Sequence, residues 1–324
     1  MKRRNFISAI GCTTIAWPWI AIAQQPNKVW RIADLYPGRL DNPPDRALFD
    51  LFRAELRELG YIEGKNLIID YREAGGKLER LPSLVSELIA LRPDVIVAVT
   101  TPAIAAAQSA TSTIPIIMAP ATDPIGSGFV KSLARPGGNI TGMANMVGDA
   151  VGKAVELLHT ILPSAKRIAV LGSTNPTHPQ QYELANVAAK SLGLATIAVM
   201  ARTPDDLDQA FEKMKQEGCD ALLVLADVNR PAIVPLAAKS RLPAIYQSTT
   251  FVDLGGLASY GADIKAVFRK VAHYVDKIFK GADPAGFPVE QPVVFELGLN
   301  LKTAAALGLT IPASVMARAD KVIE

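Results

Sequence analysis

Apolar positions along this chain recur in two rhythms. Val29–Leu35, Leu67–Tyr71, Asp94–Thr100 and Ile114–Ala119 are short, almost continuous apolar runs. Such runs predict strands buried on both faces, as in a parallel sheet covered by helices. Between them Leu48, Phe52, Leu56 and Leu59 recur at helical spacing, and so do Leu81, Leu84, Leu88 and Leu91. Each set puts its apolar side chains on one face of a helix. The same order of landmarks then returns in the second half. Arg167-Ile-Ala-Val repeats Arg31-Ile-Ala-Asp, Leu192-Gly193 closes a helix as Leu59-Gly60 does, Asp220 opens a strand as Asp94 does, and Pro243 precedes one as Pro115 does. The pattern predicts an α/β protein of two Rossmann-like βαβαβαβ lobes, each built on a parallel sheet.

The first residues change the charge argument. Lys2, Arg3 and Arg4 precede a short apolar run from Phe6 to Ile22 and the Ala21-Ile22-Ala23 triplet. This is the pattern of a cleavable export signal over residues 1–23, and the twin arginines fit the Tat type. The whole chain has 34 basic against 31 acidic residues, and losing those three basic residues levels the count. A neutral mature chain advertises no nucleic-acid face. Of the two cysteines, only Cys219 survives cleavage, so no internal disulfide is expected in the periplasm.

The stretch SLARPGGNITG, Ser132–Gly142, places two glycines beside an arginine. A phosphate-binding loop needs G-x-x-x-x-G-K-[ST] leading into a helix, but Met143 follows Gly142 and Pro136 disfavours helix at Arg135. The glycines are therefore expected to give the chain freedom to bend between the lobes.

Ligands of open parallel sheets sit beyond the carboxyl ends of the strands, and a cleft between two lobes unites two such sets. The ends here are Tyr36, Thr100-Thr101, Ala121-Thr122-Asp123, Ser173–Asn175, Asp227–Asn229 and Gln247–Thr249. Thr100-Thr101-Pro102 reads as a helix start whose free N–H groups can hold a carboxylate, or as a helix that simply caps itself. Asp123 and Asp227 end strands in opposite lobes, where a carboxylate pairs with a ligand ammonium or serves turn chemistry. Tyr36, Tyr246 and Tyr260 offer flat apolar faces with a polar tip. Thr122 and Asn175 complete the candidate ligand contacts, beside Thr177. Nothing asks for catalysis, a metal or a cofactor. His159, His178 and His273 have no partner at metal-ligand spacing, and G-x-S-x-G, H-E-x-x-H and C-x-x-C are absent.

Several longer stretches are similar to one family: RRNFI…AWPWIAIAQQ, DPIGSGFVKSLARPGGNITG, LGSTNP, SRLPAIY, GGLASYGADI and NLKTAAALGLTIP. They resemble the substrate-binding proteins of bacterial ABC importers with the type I periplasmic-binding fold, in the branch that includes tryptophan- and tyrosine-binding members. The resemblance spans the chain. It implies a hinge of three crossovers, near Thr141–Ala144, Leu257–Tyr260 and Ala282–Val293. Lobe one would then hold 29–143 and 258–281, and lobe two 144–257 and 282–324. It implies a monomer that closes on a small amino-acid-like ligand and is read by an importer permease. The readings from other classes are an exported two-lobed enzyme and a ligand-sensing partner of a membrane receptor.

Overall fold

The computed structural model describes residues 28–145, 147–225 and 232–324, so the export signal and Asp227 lie outside the described residues. The first half of the chain alternates strand and helix: β1 (Trp30–Tyr36), α1 (Pro43–Glu58), β2 (Leu67–Glu73), α2 (Leu81–Ala90), β3 (Val95–Ala98), α3 (Thr100–Ala110), β4 (Ile116–Thr122) and β5 (Ile140–Asn145). Its strands form one parallel sheet in the order β2-β1-β3-β4-β5. Alternation along β1 assigns the two faces. Ile32 and Tyr36 pack with Phe49, Phe52 and Leu56 of α1, whereas Ala33 and Leu35 pack with Leu84, Val85 and Leu88 of α2 and Ile104 of α3.

The second half continues with α4 (Val147–Ile161), β6 (Arg167–Gly172), α5 (His178–Ser191), β7 (Ala195–Met200), α6 (Leu207–Gln216), β8 (Ala221–Val224), α7 (Ile233–Lys239), β9 (Ala244–Tyr246) and α8 (Thr249–Asp253). It ends with β10 (Ala258–Ala262), α9 (Ile264–Phe279), β11 (Phe295–Asn300), α10 (Leu301–Ala306), α11 (Ala313–Met316) and β12 (Lys321–Ile323). A seven-stranded sheet runs β12-β11-β10-β9-β8-β6-β7. Val151, Val155 and Leu158 of α4 and Ala185 and Ala189 of α5 cover one face. Leu207, Phe211 and Met214 of α6, Val234 of α7 and Phe251 of α8 cover the other.

One strand pair departs from the all-parallel expectation. β10 and β11 are antiparallel. The cause is the connection between them. From the end of β10 the chain crosses to the first sheet, where Asp263 caps α9 through the N–H groups of Lys265 and Ala266, at 2.9 and 3.0 Å. Val267, Phe268, Val271 and Val275 of α9 bury themselves beside α1. A chain that leaves one end of a sheet and returns to that same end must run back along it.

Three links join the sheets: β5 to α4, β10 to α9, and the passage into β11. Of the stretch 258–281, β10 belongs to the seven-stranded sheet and α9 packs on the five-stranded one. Residues 285–290 run beside the first sheet before the last crossing. There Thr141 Oγ1 donates to Phe287 O at 2.6 Å, and Glu290 N donates to Gly142 O at 3.0 Å.

SLARPGGNITG does not bend between the lobes. It is the loop into β5 and the start of that strand, held by Gly137 N to Ala285 O at 2.9 Å and Val289 N to Leu133 O at 2.7 Å. Gly142 is required for another reason. Its φ is +128°, and a Cβ there would stand 2.6 Å from the backbone N and O of Met118.

Candidate ligand-binding site

The strand ends of both sheets meet around one cavity. From the first sheet side it is lined by Tyr36, Leu48, Val99, Thr100, Thr101, Pro120, Thr122 and Asn145, and by Ile264 and Phe268 of α9. The second sheet contributes Ala150, Asn175, Leu225, Gln247, Ser248, Phe251, Gly261 and Phe295. None of the lining residues is Asp, Glu, Lys, Arg or His. Among the described residues, then, the walls offer aromatic rings, hydroxyls, amides and backbone dipoles.

The paired threonines at the start of α3 divide their work. Thr101 is buried, and its Oγ1 accepts from Thr122 N at 3.0 Å, tying the end of β4 to the helix. Thr100 sits in the left-handed region, with φ +67°, and its buried Oγ1 has no partner among the described residues. A side chain other than glycine held there is strained. Among the described residues no N-cap side chain hydrogen-bonds to the start of α3, whose N-cap is Val99. Its first-turn N–H groups are therefore free to hold an anion at the positive end of the helix.

The second lobe presents a polar network at the start of α5. Thr177 N and Thr177 Oγ1 both donate to Asn175 Oδ1, at 3.0 and 2.9 Å. Gln181 Nε2 donates to Thr177 Oγ1 at 3.0 Å. Beside it Ser173 N donates to His178 Nδ1 at 2.7 Å, so that ring nitrogen carries no proton and the histidine is a structural partner of its own turn.

Five of the residues expected at the site line this cavity: Tyr36, Thr100, Thr101, Thr122 and Asn175. Tyr246 and Tyr260 do not; each stands behind a ring that does. Tyr246 stacks on Phe251 with centroids 4.6 Å apart, and Tyr260 stacks on Phe295 at 5.9 Å. Burial also pushes the Tyr246 hydroxyl well above its ordinary range. Asp123 turns away, with φ +45° and its Oδ1 accepting from Gly126 N at 2.9 Å, and lines a separate groove with Gln180, Gln181 and Leu184.

The residues missed by sequence reasoning are chiefly Asn145, Gln247, Ser248, Phe251, Phe268 and Phe295. Gln247 and Ser248 fall in a strand end already marked, Gln247–Thr249, and were legible there. The three phenylalanines look like core residues in sequence because apolar periodicity does not say which apolar side chain stands at a cavity wall.

Residues 43–323 match the family described as ABC transporter substrate binding protein. The chain belongs to that family. It is 29% identical over 263 residues to a tyrosine-binding protein of Clostridioides difficile, covering 80% of this chain and 75% of that relative. It is 30% identical, with a TM-score of 0.82, to an ABC domain in complex with L-Trp from Streptococcus pneumonia, covering 91% of this chain and 99% of that one. Against the ligand-free, open structure of a substrate binding protein with adhesive properties from Clostridium difficile the TM-score is 0.61 at 26% identity, again covering 91% and 99%. The architecture is the type I periplasmic-binding fold. The family and these relatives are ligand-binding proteins rather than enzymes. No helix among the described residues is long and apolar enough to cross a membrane.

Proposed function

We propose that this chain is the exported solute-binding component of an ABC importer, and that it captures an aromatic amino acid or a close analogue between its lobes. The observation that carries the reading is the cavity itself, walled from both sheets by Tyr36, Phe251, Phe268 and Phe295 and free of Asp, Glu, Lys, Arg and His among the described residues. Rings of this kind bury a flat apolar body. The uncapped start of α3 receives a carboxylate from the first lobe. Tyr36, Thr100, Thr101, Thr122 and Asn175 are the proposed contacts carried over from the sequence. The relatives that bind tyrosine and L-Trp support the ligand class.

Transport follows from closure. Contacts to both lobes exist together only when the cleft is shut, so ligand shifts the population toward that state. The higher TM-score against the L-Trp complex than against the open structure supports a closed arrangement here. The hinge is assigned to the links after Asn145, between Ala262 and Ile264, and between Glu290 and Phe295. The protein acts as a monomer in the periplasm and hands the ligand to a permease; ATP is used elsewhere.

Thermal unfolding of the chain without residues 1–23, refolded to strip carried-over ligand, tests this against a panel of amino acids and nucleobases. Ligand at a hundred times its Kd stabilises by about 2.7 kcal/mol. An aromatic amino acid that raises Tm and is recovered unchanged supports the reading. Recovery of an altered compound makes the chain an enzyme and overturns it.

A further inference from the structure

Resting on the reading just given, we infer that Asn175 is the second lobe's specificity-determining contact, a hydrogen-bond donor locked outward to take the ligand carboxylate from the side opposite α3. Asn175 is 3% exposed yet lines the cavity. Its amide has one possible orientation. The backbone N–H of Thr177 is only a donor, so the atom it meets at 3.0 Å must be the carbonyl oxygen Oδ1. The Thr177 hydroxyl, 2.9 Å from the same oxygen, must then donate to it as well. With its one proton committed, that hydroxyl accepts from Gln181 Nε2 at 3.0 Å, which agrees with the orientation of the next amide.

Each step fixes the one before it, and the result is a directed chain. Asn175 Oδ1 is filled from behind by two donors, while Nδ2 has no partner among the described residues. A donor held in this way reads acceptors and rejects donors, because turning the amide over would set its NH2 against the Thr177 N–H. In an aromatic amino acid the strong acceptor is the carboxylate. The ligand carboxylate is thus bound by the first turn of α3 from one lobe and by Asn175 from the other. Both contacts exist only in the closed cleft, so the carboxylate itself draws the lobes together.

The test uses Asn175→Asp in the refolded protein, with L-tryptophan and tryptamine as probes. Aspartate keeps the shape and both Thr177 bonds but replaces the donor by a second acceptor. A hydrogen bond to a charged group, once lost, weakens binding by about 10- to 100-fold. The expected result is a loss of at least tenfold for L-tryptophan, and a preference shifted toward tryptamine, which has an ammonium and no carboxylate. Asn175→Ala, which removes the donor without adding charge, gives a smaller loss in the same direction and decides the matter if the aspartate variant does not fold. Unchanged affinity for L-tryptophan in both variants overturns the inference. So does an equal loss for both probes, which marks a merely structural role. Failure of the unsubstituted protein to bind either L-tryptophan or L-tyrosine overturns the underlying functional reading instead.

Discussion

Replacing Asp34 by asparagine tests whether burial alone sets the behaviour of an acid inside the first lobe. Asp34 lies in the middle of β1, between Tyr71 of β2 and Val97 of β3, and is 3% exposed. By alternation it shares the face of Ile32 and Tyr36, under α1 and α9. Its carboxyl has no ion pair or hydrogen bond among the described residues, and burial raises its pKa from 3.8 to about 7. Below pH 3.8 both the folded and unfolded carboxyls are protonated, and the group contributes no pH dependence. From there to about pH 7 the unfolded chain has released a proton that the folded chain retains, so stability falls as pH rises. At about 1.36 kcal/mol per pH unit, the loss reaches about 4 kcal/mol once the folded carboxyl has ionised. Asparagine has nearly the same shape and does not ionise. Asp34→Asn should therefore leave stability at pH 4 within about 1 kcal/mol and raise it at pH 8 by about 4 kcal/mol. At about 2–4 °C per kcal/mol, that is a rise in Tm of about 8–16 °C. Urea unfolding at pH 4, 6 and 8 measures the difference directly. A difference that does not grow with pH, or a variant less stable at pH 8, would refute the reasoning.

Two further substitutions probe the frame of the cleft. Thr101→Val removes the acceptor for the buried Thr122 N–H, and should cost about 1–3 kcal/mol in chemical unfolding. Gly142→Ala forces a Cβ to within 2.6 Å of the Met118 backbone at a φ of +128°. It should destabilise by at least 1–3 kcal/mol, as forbidden backbone geometry does, lowering Tm in a thermal scan, and an unchanged Tm would show that β4 and β5 are not so closely apposed.

Much of the fold was legible in the sequence because apolar periodicity reports burial directly. The runs at Val29–Leu35 and Ile114–Ala119 became β1 and β4 with ends moved by a few residues, and the repeated landmarks became two sheets. The antiparallel β10–β11 pair was not legible, since a strand's direction depends on which edge the chain re-enters. SLARPGGNITG misled for a related reason. Glycine marks an unusual backbone without saying why, and at Gly142 the reason is a close approach within one sheet.

The candidate site divides along the same line. Tyr36, Thr100, Thr101, Thr122 and Asn175 line the cavity and were legible because strand ends and helix starts have sequence signatures, and these are what a cleft is made from. Tyr246 and Tyr260 have suitable chemistry, yet their rings stack on Phe251 and Phe295, and it is those phenylalanines that line the cavity. The charge of Asp123 suggests a ligand contact in sequence, but its carboxylate accepts from Gly126 N in a tight local turn.

The central claim, that this cleft holds one aromatic amino acid, is tested most directly by calorimetric titration of the refolded protein without residues 1–23. The account predicts that L-tryptophan or L-tyrosine binds with one molecule per chain and a negative heat-capacity change, as burial of an apolar side chain requires. No heat from either at millimolar concentration, at several temperatures, would contradict it.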